Sequence, residues 1–159
     1  MIVKQIVDED FVNYKKPSMF IAFPRCTFKC EKESGVRCCQ NSDLAKAKGI
    51  IVTEDEVVAR YIGNKITRAI VIGGLEPMDD WIVLSSLIEK IRYATQDDIV
   101  IYTGYTEDEI AWLFDIINCK NFSNIIVKFG RYVPGHKKHY DEVLGVYLAS
   151  DNQYAKRIS

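Results

Sequence analysis

Cys26, Cys30 and Cys39 lie on one short segment, directly after the apolar run Met19–Phe23 (MFIAF). The segment reads Cys26-Thr-Phe-Lys-Cys30, then eight residues, then Cys39-Gln40-Asn41. Thiolates ligate iron–sulfur clusters and zinc. Three of them are one too few to close a four-coordinate site. On a four-iron cluster the remaining iron keeps an open position for a substrate or cofactor. On zinc the fourth ligand would have to be His136 or His139, about a hundred residues further along. Cys38 adjoins Cys39, so either can be the third thiol of the set. Cys119 stands near Phe122 at the end of a helical pattern and reads as packing.

Three further groups of residues follow apolar runs in the same way: Gly73-Gly74-Leu75-Glu76-Pro77, Thr103-Gly104-Tyr105 and Gly130-Arg131-Tyr132. Taken singly, each has a plain structural reading. A glycine pair after a strand is a turn. Thr103-Gly104 is a strand end leading to a helix cap. Arg131 is a surface or partner-facing residue, and Glu107, Asp108 and Glu109 form a solvated first helical turn that suits the helix dipole.

The elements between these groups alternate. Strands are expected at Met19–Phe23, Arg68–Ile72, Asp98–Tyr102 and Asn124–Phe129, with a last one at Gly145–Ala149 and an edge strand within Met1–Val7. A helix is expected over Glu54–Ile62, with Thr53 and Glu56 in a capping box. Another starts at Asp79 or Asp80 and carries Trp81, Leu84, Leu87, Ile88 and Ile91 on one face. A third, capped by Thr106, carries Ile110, Leu113, Phe114 and Ile117. This order argues for βαβ units in an α/β fold with a mainly parallel, curved sheet. The chain of 159 residues is short for a complete eightfold barrel of about 250 residues, so an incomplete (partial) β/α barrel is expected. The cysteine loop, the glycine loop and the loops at Thr103 and Gly130 then share the carboxyl edge of the sheet, where ligands of such folds bind.

Composition narrows the function. The length points to a single domain, residues 1–159, and an apolar fraction of 48% allows a real core. A net charge of −1 gives no polyanion-binding surface, so nucleic acid is not an expected partner. Met1–Phe11 does not read as a signal peptide, and no apolar run reaches the roughly 18 residues that span a bilayer. No membrane association is expected, and a cytoplasmic protein is. In that compartment clustered cysteines serve metal or redox chemistry rather than disulfides.

With these motifs in order, the chain resembles the radical S-adenosylmethionine superfamily, whose usual signature is CxxxCxxC followed by a glycine-rich acidic loop after the second strand. Within it, the chain is similar to the activating proteins of anaerobic ribonucleoside-triphosphate reductase. Asn41 after the third cysteine, Tyr102-Thr103-Gly104-Tyr105 before an acidic turn, Gly130-Arg131-Tyr132 and the late Ser150-Asp151-Asn152-Gln153 carry that likeness over nearly the whole chain. The spacing departs from the signature: eight residues separate Cys30 from Cys39, and Cys38 stands where an aromatic residue is usual. Cys39 is preferred as third ligand because Gln40-Asn41 follows it. The inserted Glu31–Arg37 can bulge outward at Ser34-Gly35 at little cost.

The resemblance implies a [4Fe-4S] cluster on Cys26, Cys30 and Cys39, with S-adenosylmethionine (SAM) chelating the open iron. Gly73, Gly74 and Glu76 would receive the ammonium of SAM, Phe28 would pack on its adenine, and Thr103 would bond its ribose or carboxylate. No catalytic side chain beyond cluster and cofactor is implied. The reaction would be reductive cleavage of SAM and transfer of the radical to a glycine of the large subunit of anaerobic ribonucleotide reductase. Electrons would come from a donor such as flavodoxin or ferredoxin. Two alternatives stand beside this. One is a radical SAM enzyme acting on a small molecule such as a modified-nucleobase precursor, which would need extra elements to wall in its substrate, and none is expected after Gly130. The other is a non-catalytic zinc-binding interaction module.

Overall fold

The computed structural model describes residues 1–159. Six strands form the central sheet: β2 (Gln5–Asp10), β3 (Ser18–Phe23), β5 (Ala69–Gly74), β6 (Asp98–Tyr102), β7 (Ile125–Phe129) and β10 (Tyr154–Arg157). Their order is β10-β7-β6-β5-β3-β2. β3, β5, β6 and β7 pair in parallel, while β2 and β10 close the two edges antiparallel. The sheet is thus mixed, mainly parallel and open; no closed barrel forms.

Alternation along the strands separates two faces. Ile70 and Ile72, Ile99 and Ile101, and Ile125, Val127 and Phe129 share one face, against α3 (Glu54–Gly63), α4 (Trp81–Ala94) and α5 (Trp112–Cys119). The expected helix residues Leu84, Leu87, Ile88 and Ile91 pack there, each almost fully buried. Thr53 caps α3 with the expected reciprocal box: its hydroxyl accepts from the Glu56 N–H at 3.1 Å, and Glu56 accepts from the Thr53 N–H at 2.6 Å.

The opposite face carries Ala69, Val71, Val100 and Ile126, and a hairpin covers it. Its strands are β8 (His139–Asp141) and β9 (Val146–Leu148), paired only with each other. Here the structure corrects the sequence expectation. The segment expected as the last strand, Gly145–Ala149, is the second arm of this hairpin. The true last strand of the sheet is β10, which pairs with β7. Tyr154–Arg157 escaped notice because it is a mostly exposed edge strand of mixed polarity. The N-terminal segment also splits in two. β1 (Ile2–Val3) pairs with β4 (Ile50–Ile51) as a separate ribbon, and β2 joins the sheet. No helix is long and apolar enough to cross a membrane.

Candidate metal centre and cofactor cavity

The loops that follow β3, β5, β6 and β7 meet at the carboxyl edge of the sheet around a cavity of about 360 Å³. Cys26, Cys30 and Cys39 line it; Cys38 does not. Cys30 lies on α1 (Lys29–Ser34), a short helix entered through Phe28 in left-handed geometry (φ 53°) and ended by Gly35 (φ 71°). The inserted Glu31–Arg37 complete this helix and form its turn, and all of them but Glu31 are exposed. Cys38 lies 3.4 Å from the Ser34 hydroxyl within that turn and also stands within hydrogen-bonding reach of the Cys30 thiol.

The cysteine loop is held by polar ties. The Phe28 N–H donates to Cys26 Sγ at 3.2 Å, and the Cys39 N–H donates to Glu31 at 3.1 Å. Asn41 Nδ2 donates to the Gly74 carbonyl at 2.5 Å. The helix α2 (Ser42–Lys46) follows directly. Burial pushes the Cys26 thiol up to about 11, with the charges of Glu76 and Asp79 adding to it, and burial raises Cys30 and Cys39 as well. Metal binding here must displace protons.

The glycine loop is built for close approach. A Cβ on Gly73 would stand 3.2 Å from the Phe20 ring and from Tyr102 Cβ. Gly74 has φ 84°, and a Cβ there would meet Ala22 Cα at 2.7 Å. Glu76, 6% exposed, is fixed by three donors. Its Oε1 accepts from the Met78 N–H at 3.1 Å and the Thr103 hydroxyl at 2.7 Å, and its Oε2 accepts from the Gly104 N–H at 2.8 Å. Burial raises its pKa, and these three bonds oppose that rise.

Of the residues expected in the cofactor site, Gly74, Glu76 and Thr103 line the cavity. Gly73 lies behind its wall, spacing Phe20 from Tyr102. Thr103 is buried, and its hydroxyl proton is directed to Glu76. Phe28 lines an adjoining surface hollow with Pro24, Arg25 and Ala45, which shares Cys26, Thr27 and Leu75 with the cavity. The aromatic residues on the cavity itself are Phe20, Tyr102, Tyr105, Tyr132 and Tyr147. Neither histidine lines it. His136 pairs with Asp151 at 2.7 Å and His139 sits in β8, so no four-ligand zinc site is assembled. No three His, Cys, Asp or Glu side chains converge on a single ion. A cluster distributes its ligands over several irons, so three thiols around one cavity match that donor set without such convergence.

Further residues brace the cavity. Tyr105 donates to Asp79 at 2.6 Å, and Asp79 also accepts from the Thr27 N–H at 2.6 Å, linking the cysteine loop to the loop after β6. Arg131 pairs with Glu109 at 2.6 Å and Glu33 at 3.2 Å, which joins α1 to the loops after β6 and β7. Lys128, in the middle of β7, is 6% exposed. The signal for it was a lone charge inside Ile125–Phe129, an otherwise apolar central strand. Burial pushes it down to about 8, against the pull of Glu76. The hairpin contributes Val146, Tyr147 and Leu148 to the wall. The chain after Gly130 therefore does supply walling elements, contrary to the sequence expectation. Their short strands and loop-like composition hid them.

Residues 18–147 match the family described as the 4Fe-4S single cluster domain, and the chain belongs to that family. It is an iron–sulfur cluster protein of the [4Fe-4S] type. Neither the comparison with curated proteins nor that with solved structures returned a match.

Proposed function

We propose that this chain is a radical SAM activase: it cleaves SAM reductively and generates a glycyl radical on the large subunit of an anaerobic ribonucleotide reductase. The observation that carries the reading is the meeting of Cys26, Cys30 and Cys39 with Gly74 and buried Glu76 on one cavity. When bound, the cluster would supply the electron that splits the sulfonium, leaving methionine and a deoxyadenosyl radical that takes a hydrogen atom from a glycine. The chain's own residues bind and orient. Glu76 retains a lone pair for an ammonium, since three of about four acceptor positions on a carboxylate are filled. The Gly74 carbonyl, already bonded to Asn41, forms part of the wall beside the cysteines. Tyr102 and Tyr132 line the cavity and are the candidates for packing on a nucleobase, since Lys29 already lies over the Tyr105 ring at 4.1 Å. In this reading the sheet is an incomplete barrel, and the face that carries Phe20 and Tyr102 is its inner side.

The test is anaerobic incubation with reductant, SAM and the reductase large subunit from the same source. A glycyl-radical doublet in electron paramagnetic resonance, arising from the partner and accompanied by deoxyadenosine, is expected, with neither from Cys26→Ala. A cluster-loaded protein that binds SAM and never yields the doublet would refute the activase.

One observation favours a second reading. The hairpin β8–β9 walls the cavity with Val146, Tyr147 and Leu148, as an enzyme enclosing a small molecule would require. Turnover of a small molecule with deoxyadenosine formation, and no radical on the partner, would select it.

A further inference from the structure

The inserted segment Glu31–Arg37 brings Cys38 back beside Cys30. Cys30 lies in the first turn of α1 and Ser34 lies four residues on, so the two share one face of the helix. Gly35, in left-handed geometry, turns the chain there, its N–H donating to the Glu31 carbonyl at 2.9 Å. The returning chain is tied to the helix again where the Cys39 N–H donates to the Glu31 carboxylate at 3.1 Å. Between these ties Cys38 Sγ stands 3.4 Å from the Ser34 hydroxyl and within hydrogen-bonding reach of the Cys30 thiol. Cys38 does not line the cavity, and the ligand set has no use for it. A second thiol held beside a cluster ligand, with no place in the cluster, has the position of a resolving cysteine.

We propose that Cys38 is the resolving cysteine of Cys30, and that the two join as a disulfide when hydrogen peroxide reaches the loop without its cluster. One thiolate attacks a peroxide oxygen, the O–O bond breaks, and a sulfenic acid forms as hydroxide leaves. The second thiolate attacks that sulfur, the S–O bond breaks, and hydroxide leaves again as the S–S bond forms. In sum the two thiols lose two protons and two electrons, and peroxide is reduced to two waters. A thiol reductant reverses the disulfide but not a sulfinic or sulfonic acid, so the pair keeps a cluster ligand recoverable. Cys38 and Cys39 are poor partners for each other, since adjacent Cα atoms stand about 3.8 Å apart and a disulfide spans roughly 4.4–6.8 Å. The inference rests on Cys30 as a cluster ligand, not on the choice of cofactor or partner.

The test is mass-spectrometric mapping of the whole chain, stripped of cluster anaerobically and treated with limiting hydrogen peroxide. Cleavage after Lys29, Lys32 and Arg37 separates Cys30 from Cys38, so the disulfide shows as two joined fragments that part on reduction. Wild type and Cys39→Ala are expected to show the join. Cys38→Ala and Cys38→Ser are expected to lose it and to carry Cys30 as sulfinic or sulfonic acid. After dithiothreitol and reconstitution with iron and sulfide, treated wild type should regain most of its iron and the two Cys38 variants little, although both fill normally when never oxidised. A join that survives in the Cys38 variants or vanishes in Cys39→Ala would overturn the pairing, and equal recovery of iron in all would overturn its role. Untreated Cys38 variants that bind no iron would make Cys38 a ligand and overturn the proposal as well.

Discussion

The side-chain amide of Asn41 donates to the carbonyl of Gly74 at 2.5 Å, so the residue after the cysteine loop is tied directly to the end of β5. Two motifs separated by a strand, two helices and several turns in sequence become one wall of the cavity. The backbone repeats the link, with the Glu76 N–H donating to the Arg25 carbonyl at 2.7 Å.

Asn41→Ala should therefore weaken the hold on the loop without removing a thiol. The bond is exposed, so the stability cost should be about 0.5–1 kcal/mol. Cluster should still assemble, but iron should pass to a chelator faster than from wild type. Identical release rates would mean that the tie does not restrain the loop.

Glu76→Ala should do more than weaken SAM binding. It strands the Gly104 N–H and the Thr103 hydroxyl in a buried site, at a cost of about 1–3 kcal/mol in unfolding free energy. Glu76→Gln keeps the shape and should lower SAM affinity about ten- to a hundredfold at a smaller stability cost. Chemical denaturation and calorimetry on the two variants separate the contributions. Unchanged SAM affinity in both would remove Glu76 from ammonium binding.

Gly74→Val should prevent folding rather than crowd a ligand. Its Cβ would meet Ala22 Cα at 2.7 Å, from a backbone with φ 84° that valine rarely adopts. Gly73→Ala is the graded probe: its neighbours, the Phe20 ring and Tyr102, stand at 3.2 Å and must shift by a few tenths of an ångström. It should fold with a lower melting temperature. Soluble, cooperatively unfolding Gly74→Val would contradict the geometry.

These glycines show what was legible and what was not. The glycine pair, the cysteine loop and the capping box announce themselves because each needs a particular residue type at a fixed spacing. The helix face from Leu84 to Ile91 is equally plain, since its period is set by burial on one side. Lys128 and the hairpin were hidden for the opposite reason. Their roles come from tertiary placement, from the face on which a strand residue falls and from a loop folding back over the sheet, and neither leaves a local pattern. Phe28, suggested as an adenine contact by its position in the cysteine loop, has a left-handed backbone and lines an adjoining hollow that shares Cys26, Thr27 and Leu75 with the cavity.

Asp98, at the start of β6, gathers Lys16 at 2.5 Å, Arg157 at 2.8 Å and the Tyr14 hydroxyl at 3.0 Å. Burial alone would raise its pKa, but these hydrogen bonds outweigh it and hold the carboxyl at about 2. A folded value below the unfolded one, about 3.9, stabilises the fold above that pH, and the contribution fades as pH falls toward 2. Because Lys16 and Arg157 are half exposed and screened, about 1–2 kcal/mol is the expected size. Asp98→Asn should be less stable than wild type by that amount at pH 7, and the gap should narrow steadily between pH 4 and 2. A gap independent of pH would assign the effect to packing.

The most direct measurement is the iron and sulfide content of anaerobically reconstituted protein, with the electron paramagnetic resonance of the reduced form recorded before and after SAM. Wild type, Cys38→Ala and Cys119→Ala should each hold about four irons and four sulfides, as a single cubane requires, and the signal should change when SAM is added. Cys26→Ala, Cys30→Ala and Cys39→Ala should each lose the cluster. Loss in Cys38→Ala with retention in Cys39→Ala would contradict the ligand set that lines the cavity. A full cluster whose signal is indifferent to SAM would contradict the central claim that its open iron faces the cofactor cavity.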